Sequence, residues 1–133
     1  KELELMKAEK ARGLKDELVK KSEQLGAVNF IAAWVDLDMG TIRDLAFQMN
    51  RDLDNLFLLM ASGSGDKVNL SLLISESLVA QKGLNAGQLI REVAKEIGGG
   101  GGGQPHFATA GGKNKNGVDK AFQKAREIVR QTG

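Results

Sequence analysis

Val28-Asn29-Phe30-Ile31-Ala32-Ala33-Trp34-Val35 is a nearly continuous apolar run, and Asn55-Leu56-Phe57-Leu58-Leu59-Met60-Ala61 is a second. Short apolar runs bounded by turn residues suit strands buried on both faces. Between them, Asp36–Gly40 reads as a turn. Thr41 reads as the cap of a helix, with Asp44 as its capping-box partner. Ile42, Leu45, Ala46, Met49 and Leu53 recur at helical spacing and predict that helix's buried face. Trp34 sits within the first run and is expected in the core. A strand–helix–strand unit of this spacing predicts a right-handed parallel crossover, and so an α/β fold.

C-terminal to this unit, Ser62-Gly63-Ser64-Gly65-Asp66-Lys67 is a turn by composition. Val68, Leu70, Leu72 and Ile74 then alternate with Asn69, Ser71, Leu73 and Ser75. That alternation predicts a half-exposed strand, antiparallel to the second in a hairpin. Asn85 is placed to cap a helix, with Gln88 at its third position. Leu89, Ile90, Val93, Ala94 and Ile97 form one face, and Gly98 stops it. Asn116 is expected to cap a last helix, with Asp119 at its third position. Val118, Ala121, Phe122, Ala125, Ile128 and Val129 make its buried face.

On the N-terminal side, residues 1–25 read as a charged helix ended by Gly26, with Leu14, Leu18 and Leu25 on a thin apolar stripe. Such a helix needs a partner to be stable. The sequence opens on Lys1 within this pattern, and reads as part of a longer protein. The expected organisation is therefore the end of a helical subdomain at 1–26 and a globular α/β domain at 27–133. In that domain a small mixed β-sheet is covered by helices, and a Gly-rich loop spans 98–112.

That loop holds the sequence's richest chemistry. Six consecutive glycines, Gly98 to Gly103, precede Gln104-Pro105-His106-Phe107-Ala108-Thr109-Ala110-Gly111-Gly112. The only proline and the only histidine of the chain lie here. Ordering so many glycines is entropically costly. A folded domain carrying such a run either leaves it slack or uses it to bring bare N–H groups close to an anion such as phosphate. The placed residues after it argue against slack. Gly98-x-Gly100-x-x-Gly103 formally fits a dinucleotide fingerprint, but it follows a helix and not a strand. Gln104-Pro105 after Gly103 excludes a phosphate-binding loop of the Lys-Ser/Thr type. Two glycine elements flanking an aromatic and followed by Lys113 and Lys115 suit contact with phosphate and sugar. Phe107 or His106 can supply one stacking surface; the other reading of Phe107 is a core residue anchoring the loop.

Charge supports the same end of the chain. Residues 98–133 carry Lys113, Lys115, Lys120, Lys124, Arg126 and Arg130 against Asp119 and Glu127, within a chain of net charge +2. That is a modest footprint for a polyanion, or else a solvated helix face. Without cysteine there is no disulfide, thiolate metal site or thiol nucleophile. No apolar run approaches the ~20 residues of a membrane span, and there is no signal-peptide pattern. His106 has no Ser or Asp partner at triad spacing, and no carboxylate pattern points to metal or acid–base work. No catalytic constellation is present.

The run Gly87-Gln88-Leu89-Ile90-Arg91-Glu92-Val93-Ala94-Lys95-Glu96-Ile97, then Gly98–Gly103, Gln104-Pro105 and Phe107-Ala108-Thr109-Ala110-Gly111-Gly112-Lys113, closely resembles the C-terminal domain of alanyl-tRNA synthetases. That domain is part of the DHH-associated domain family shared with some phosphoesterases. Leu73-Ile74-Ser75-Glu76-Ser77-Leu78-Val79 and Leu84-Asn85-Ala86-Gly87 are similar to the synthetase version. The resemblance implies a non-catalytic module that contacts the outer corner of an alanine-specific tRNA and links aminoacylation with editing. It implies tRNA contact at Gly98, Gly99, Gly100, Gly101, Gly102, Gly103, Gln104, Pro105, His106, Phe107, Gly111, Gly112, Lys113 and Lys115, with Lys120 and Lys124 beside them. His106 stands where an acidic residue is common in the family, and Gln104 replaces a frequent Arg or Lys. The implied partners are tRNA, the catalytic and editing domains of the parent chain, and a second copy through the N-terminal helical segment. No cofactor is implied for this stretch; the parent would use ATP, Mg and an editing-site Zn in the cytoplasm. Two alternatives stand: a dimerisation module of the same enzyme, or the nucleotide-gripping domain of a DHH-type phosphoesterase.

Overall fold

A computed structural model describes residues 13–65 and 67–132. The chain runs through helix α1 (residues 13–20), β1 (Glu23–Leu25), β2 (Val28–Trp34), α2 (Met39–Asp52), β3 (Leu56–Ser64), β4 (Lys67–Ile74), α3 (Glu76–Lys82) and α4 (Ala86–Ala94). A short 3-10 turn (Lys95–Ile97), β5 (Gly100–Gly103), β6 (Phe107–Gly112), a second 3-10 turn (Lys115–Gly117) and α5 (Val118–Thr132) complete it. The six strands form one mixed sheet in the order β1-β2-β3-β4-β6-β5. The two opening apolar runs are its parallel pair, with Phe30 opposite Phe57 and Trp34 opposite Ala61. All other neighbours are antiparallel.

Strand alternation sorts the core onto two faces. One face carries Val28, Phe30, Phe57, Leu59, Leu70, Leu72 and Ala108 under α4 and α5, through Ile90, Val93, Ala121, Ala125 and Val129. The Phe30 and Phe57 rings stack there, 5.6 Å between centroids. The other face carries Ile31, Ala33, Leu56, Leu58 and Met60 under α2 and α1, through Ile42, Leu45, Ala46, Met49 and Leu18. Ser75 joins β4 to β3, its hydroxyl accepting from Leu56 N at 2.8 Å and donating to Asn50 Oδ1 at 2.7 Å.

The small mixed sheet under helices is the expected α/β fold, but several details differ from the sequence reading, which does not predict helix α3. The N-terminal helix does not reach residue 25. It ends by Lys20, and Glu23–Leu25 pairs with β2 as an edge strand; residues 1–12 of that expected helix lie outside the described residues. The α2 cap is Asp38, not Thr41: its carboxylate accepts from Thr41 N at 3.1 Å and from Thr41 Oγ1 at 2.6 Å. β4 is not half-exposed: Ser71 and Leu73 are buried like Val68, Leu70, Leu72 and Ile74, because Met39 of α2 lies against Ser71 and Leu73 packs into the α2-side core. Asn116 caps nothing; it lies inside the 3-10 turn that leads into α5.

The expected glycine loop is a β-hairpin on the sheet's edge, β5 pairing with β6. A strand of glycines has no side-chain period, which hides it from pattern reading. Its fit is set by the missing Cβ atoms. A Cβ on Gly99 would meet the Gly111 carbonyl oxygen, and one on Gly101 the Thr109 carbonyl oxygen. A Cβ on Gly103 would lie 2.7 Å from both Phe107 O and Ala108 Cα. A Cβ on Gly100 meets nothing within 4 Å. Gly101→Ala is therefore expected to cost about 2 kcal/mol or more by forcing β5 off β6. Gly100→Ala is expected to stay within about 1 kcal/mol of the parent. Thermal melts check both; equal melting temperatures would refute this account of the edge.

Candidate nucleic-acid interface

The hairpin is held by its carbonyls, and α4 is what holds it. Asn85 Oδ1 caps α4 by accepting from Gln88 N at 3.1 Å, as its sequence position suggests. The next two helix N–H groups do not face solvent. Ala86 N donates to Pro105 O at 2.8 Å and Gly87 N to Gln104 O at 3.2 Å. Gly87 permits that approach, since a Cβ there would lie 2.7 Å from Gly103 O. Gln104 N donates to Phe107 O at 2.9 Å and closes the turn; Ile74 N donates to His106 O at 2.8 Å and ties it to β4. Further along, Arg91 Nε donates to Gly101 O at 3.3 Å and Gly99 N to Ala94 O at 3.0 Å.

What remains outward is backbone with no side chain over it. Gly98, Gly99, Gly100, Gly101 and Gly103 are exposed, and Gly102 is half-buried beside the Arg91 guanidinium. Antiparallel alternation counted from the Gln104–Phe107 bond turns the N–H groups of Gly101 and Gly103 away from β6. In β6, Thr109 and Gly111 share a face with Ser71 and Asn69 of β4, the face on which Met39 of α2 reaches Ser71. Thr109 is half-buried and Gly111 exposed.

Phe107 is both an anchor and a wall. Half-buried, it packs against the α2-side core, and its ring lies 5.4 Å from that of Phe47, tilted by 39°. The Arg43 guanidinium sits over Phe47, 5.7 Å from its centroid. Arg43 thus joins the margin of the site from a distant helix. Only its helical spacing from Phe47 is visible in the sequence, and nothing there ties either residue to Phe107. His106 is half-buried in the turn, while Gln104 and Pro105 are exposed.

The lysines divide. Lys113 follows β6 directly and is exposed; its own N–H donates to Ile97 O at 3.0 Å. Lys120 is exposed on α5. Lys124 is engaged elsewhere: its ammonium donates to Glu92 O at 3.1 Å, with Glu92 Oε2 at 3.8 Å and Glu96 Oε1 at 3.9 Å. Lys115 lies past the glycine hairpin, its Nζ 5.0 Å from the centroid of Trp34. Trp34 is not a core residue: it ends β2 and is 39% exposed. Gly98 to Phe107, Gly111, Gly112 and Lys113 therefore form one continuous margin, with Lys115, Lys120 and Lys124 on the α5 side. Among the described residues no three His, Cys, Asp or Glu side chains are grouped to hold a metal. No described helix is long and apolar enough to cross a membrane.

A mixed six-stranded sheet ending in a bare glycine hairpin, with cations beside it, defines a small α/β domain built around an exposed backbone edge. The chain belongs to the DHHA1 domain family, which it matches over residues 27–131. It is 46% identical over 129 residues to the alanine–tRNA ligase of Christiangramia forsetii, covering 97% of this chain and 15% of that one. The chain thus spans about 15% of the length of the curated relatives it matches. Its fold is similar to the crystal structure of the C-Ala domain from Aquifex aeolicus alanyl-tRNA synthetase, with a TM-score of 0.74 and 28% identity over 82% of this chain and 97% of that one. A pGpG-specific phosphodiesterase from Vibrio shares the fold alone, at a TM-score of 0.54 and 12% identity, over 97% of this chain and 42% of that one.

Arg91 steadies the bare edge and contributes little to the core. Arg91→Met is expected to cost under about 1 kcal/mol, since its bond is exposed. It is expected to speed amide hydrogen exchange at Gly100–Gly103 while leaving β3 and β4 unchanged. Exchange by mass spectrometry checks this, and an unchanged hairpin would refute the role.

Proposed function

We propose that this domain is a non-catalytic tRNA-binding module of an alanine–tRNA ligase, and that its contact edge is the glycine hairpin with Lys113. The observation that carries this reading is Gly100, an exposed strand position where nothing in the fold would obstruct a side chain and none is present. Bare backbone at such a point admits a phosphate or sugar to hydrogen-bond distance. The glycine hairpin, Lys113 and Arg43 then supply N–H donors and charge along one margin. Contacts of this kind recognise the shape of a folded RNA, not its base sequence. The names of the relatives and the C-Ala likeness support the same reading.

On this reading the RNA is an alanine-specific tRNA held by its outer corner, the neighbours are the aminoacylation and editing domains of the parent chain, and the setting is the cytoplasm. ATP, Mg and Zn belong to those other domains. The thin stripe on α1 is used at home: Leu18 is 1% exposed and packs under α2. A homodimer through this segment would have to rest on other residues.

Fluorescence anisotropy of labelled alanine tRNA, across a salt titration, tests the proposal. Binding should be salt-dependent and weaker for a tRNA whose D-loop–T-loop pairing is disrupted. Lys113→Ala with Lys115→Ala should flatten the log–log salt slope by about one to two. Gly100→Asp should weaken binding about tenfold or more by placing a carboxylate where phosphate approaches. No binding, or equal binding to both RNAs, would overturn the reading.

A further inference from the structure

β2 is buried or half-buried along its length except at its last residue, which is exposed. Trp34 emerges there, at the carboxyl end of the parallel pair, as the one exposed large hydrophobic residue among those described. Beside it is an open cleft of about 340 Å³, lined by Trp34, Lys115, Asn116, Val118, Asp119 and Phe122. The cleft combines four chemistries. The indole is a wide flat surface. The Lys115 ammonium lies over it at 5.0 Å, a cation held on the ring face that the cleft opens. The Asp119 carboxylate and the Asn116 amide form no hydrogen bond or ion pair with any described residue. Both are exposed, so water covers them.

We infer that this cleft is a base-stacking site for a guanine of the bound RNA; the inference rests on the RNA-binding reading above. Bases of RNA that are not paired within a helix stack on aromatic rings and are read along their Watson–Crick edges. A guanine laid on Trp34 presents N1–H and the N2 amino group side by side. A carboxylate with two acceptor oxygens matches that pair of donors, and Asp119 supplies it. Lys115 then leaves the ring for the phosphate of the same nucleotide. Lys115 is only three positions beyond Gly112, a span of at most about 11 Å. One RNA can therefore touch the glycine hairpin and the cleft together. The hairpin gives salt-dependent contact to the backbone, while the cleft adds a contact to one base.

The chain offers its own reporter, since Trp34 is its only tryptophan and it has no tyrosine. Trp34 emission and tRNA anisotropy are read in one titration of the whole chain with alanine tRNA. The expected result is quenching that follows the anisotropy curve. Trp34→Ala should weaken binding about fivefold or more with an unchanged salt slope, because stacking releases no counterions. Trp34→Phe should recover part of the loss. With a short single-stranded RNA carrying one guanosine, replacement by inosine, which lacks the N2 amino group, should weaken binding about threefold or more. Asp119→Asn should abolish that difference. Melting temperatures of the variants exclude loss of fold as the cause. If tRNA binds but Trp34→Ala leaves its affinity unchanged, the cleft is not a base site, and the hairpin reading survives. Equal affinity for guanosine and inosine would overturn the assignment of guanine. No anisotropy change at all would overturn both readings.

Discussion

The approach of backbone to backbone, with no side chain between, is the constraint on which the C-terminal half of this domain depends. β5 lies so close to β6 that a Cβ at Gly99, Gly101 or Gly103 would enter its carbonyls or Cα atoms. The same contact recurs behind the sheet. Gly87 lets α4 meet Gly103, Gly112 lets β6 pass the Ile97 carbonyl, and Gly117 does the same at Glu96. These approaches let Lys113 N and Asn114 N both donate to Ile97 O, at 3.0 and 2.9 Å, and so fix where α5 begins. Ordering each glycine costs roughly 1–2 kcal/mol of backbone entropy. β5 offsets that cost through its ladder to β6, its bonds to α4 and the turn tied to β4, since its glycines bury no side chain.

How much of this was legible follows from which elements carry side-chain information. The parallel pair and α2 were readable, because Phe30, Leu58, Ile42 and Met49 must be buried and their periods differ. The Asn85 cap was readable because a short polar side chain before an apolar face has one common use. β5 was not, since glycine has no inward or outward side. β1 was not, because Glu23 and Gln24 are exposed on a three-residue edge and carry no apolar alternation. Trp34 misled because hydrophobicity is a statement about a side chain, whereas exposure depends on where the sheet stops. Of the site, the glycine run, the Phe107 wall and Lys113 were visible as a cluster in sequence. Arg43 was not, as the Arg43–Phe47–Phe107 stack joins α2 to β6 across the fold.

Charge composition points to a region with too little resolution. The basic excess of residues 98–133 includes Lys124 and Arg126, yet both are committed within the fold. Lys124 bridges α5 to α4 through Glu92 and to the 3-10 turn after α4 through Glu96. Arg126 forms a two-bond pair with Glu23, 2.8 and 3.1 Å, and lies over Phe30 at 5.5 Å. A guanidinium so held fastens β1 and α5 together more than it attracts a distant polyanion. Lys113 and Lys120 keep exposed ammonium groups, so the electrostatic footprint is narrower than the count of basic residues implies.

The glycine run also separates what the fold requires from what it does not. Packing against β6 requires glycine at 99, 101 and 103, and the left-handed backbone at Gly98, with φ of 65°, favours it there. Packing does not require it at 100, where a Cβ would meet open space, nor strictly at 102, where it would meet only the end of the flexible Arg91 side chain at 3.4 Å. An alanine or a polar residue at 100 would restrict the unfolded chain and would be expected to favour folding. The fold therefore forgoes stability at that position without a packing return. The proposed tRNA contact would account for it: a phosphate or sugar backbone coming nearer to that strand than a side chain would allow has the size and the acceptors to use the bare position.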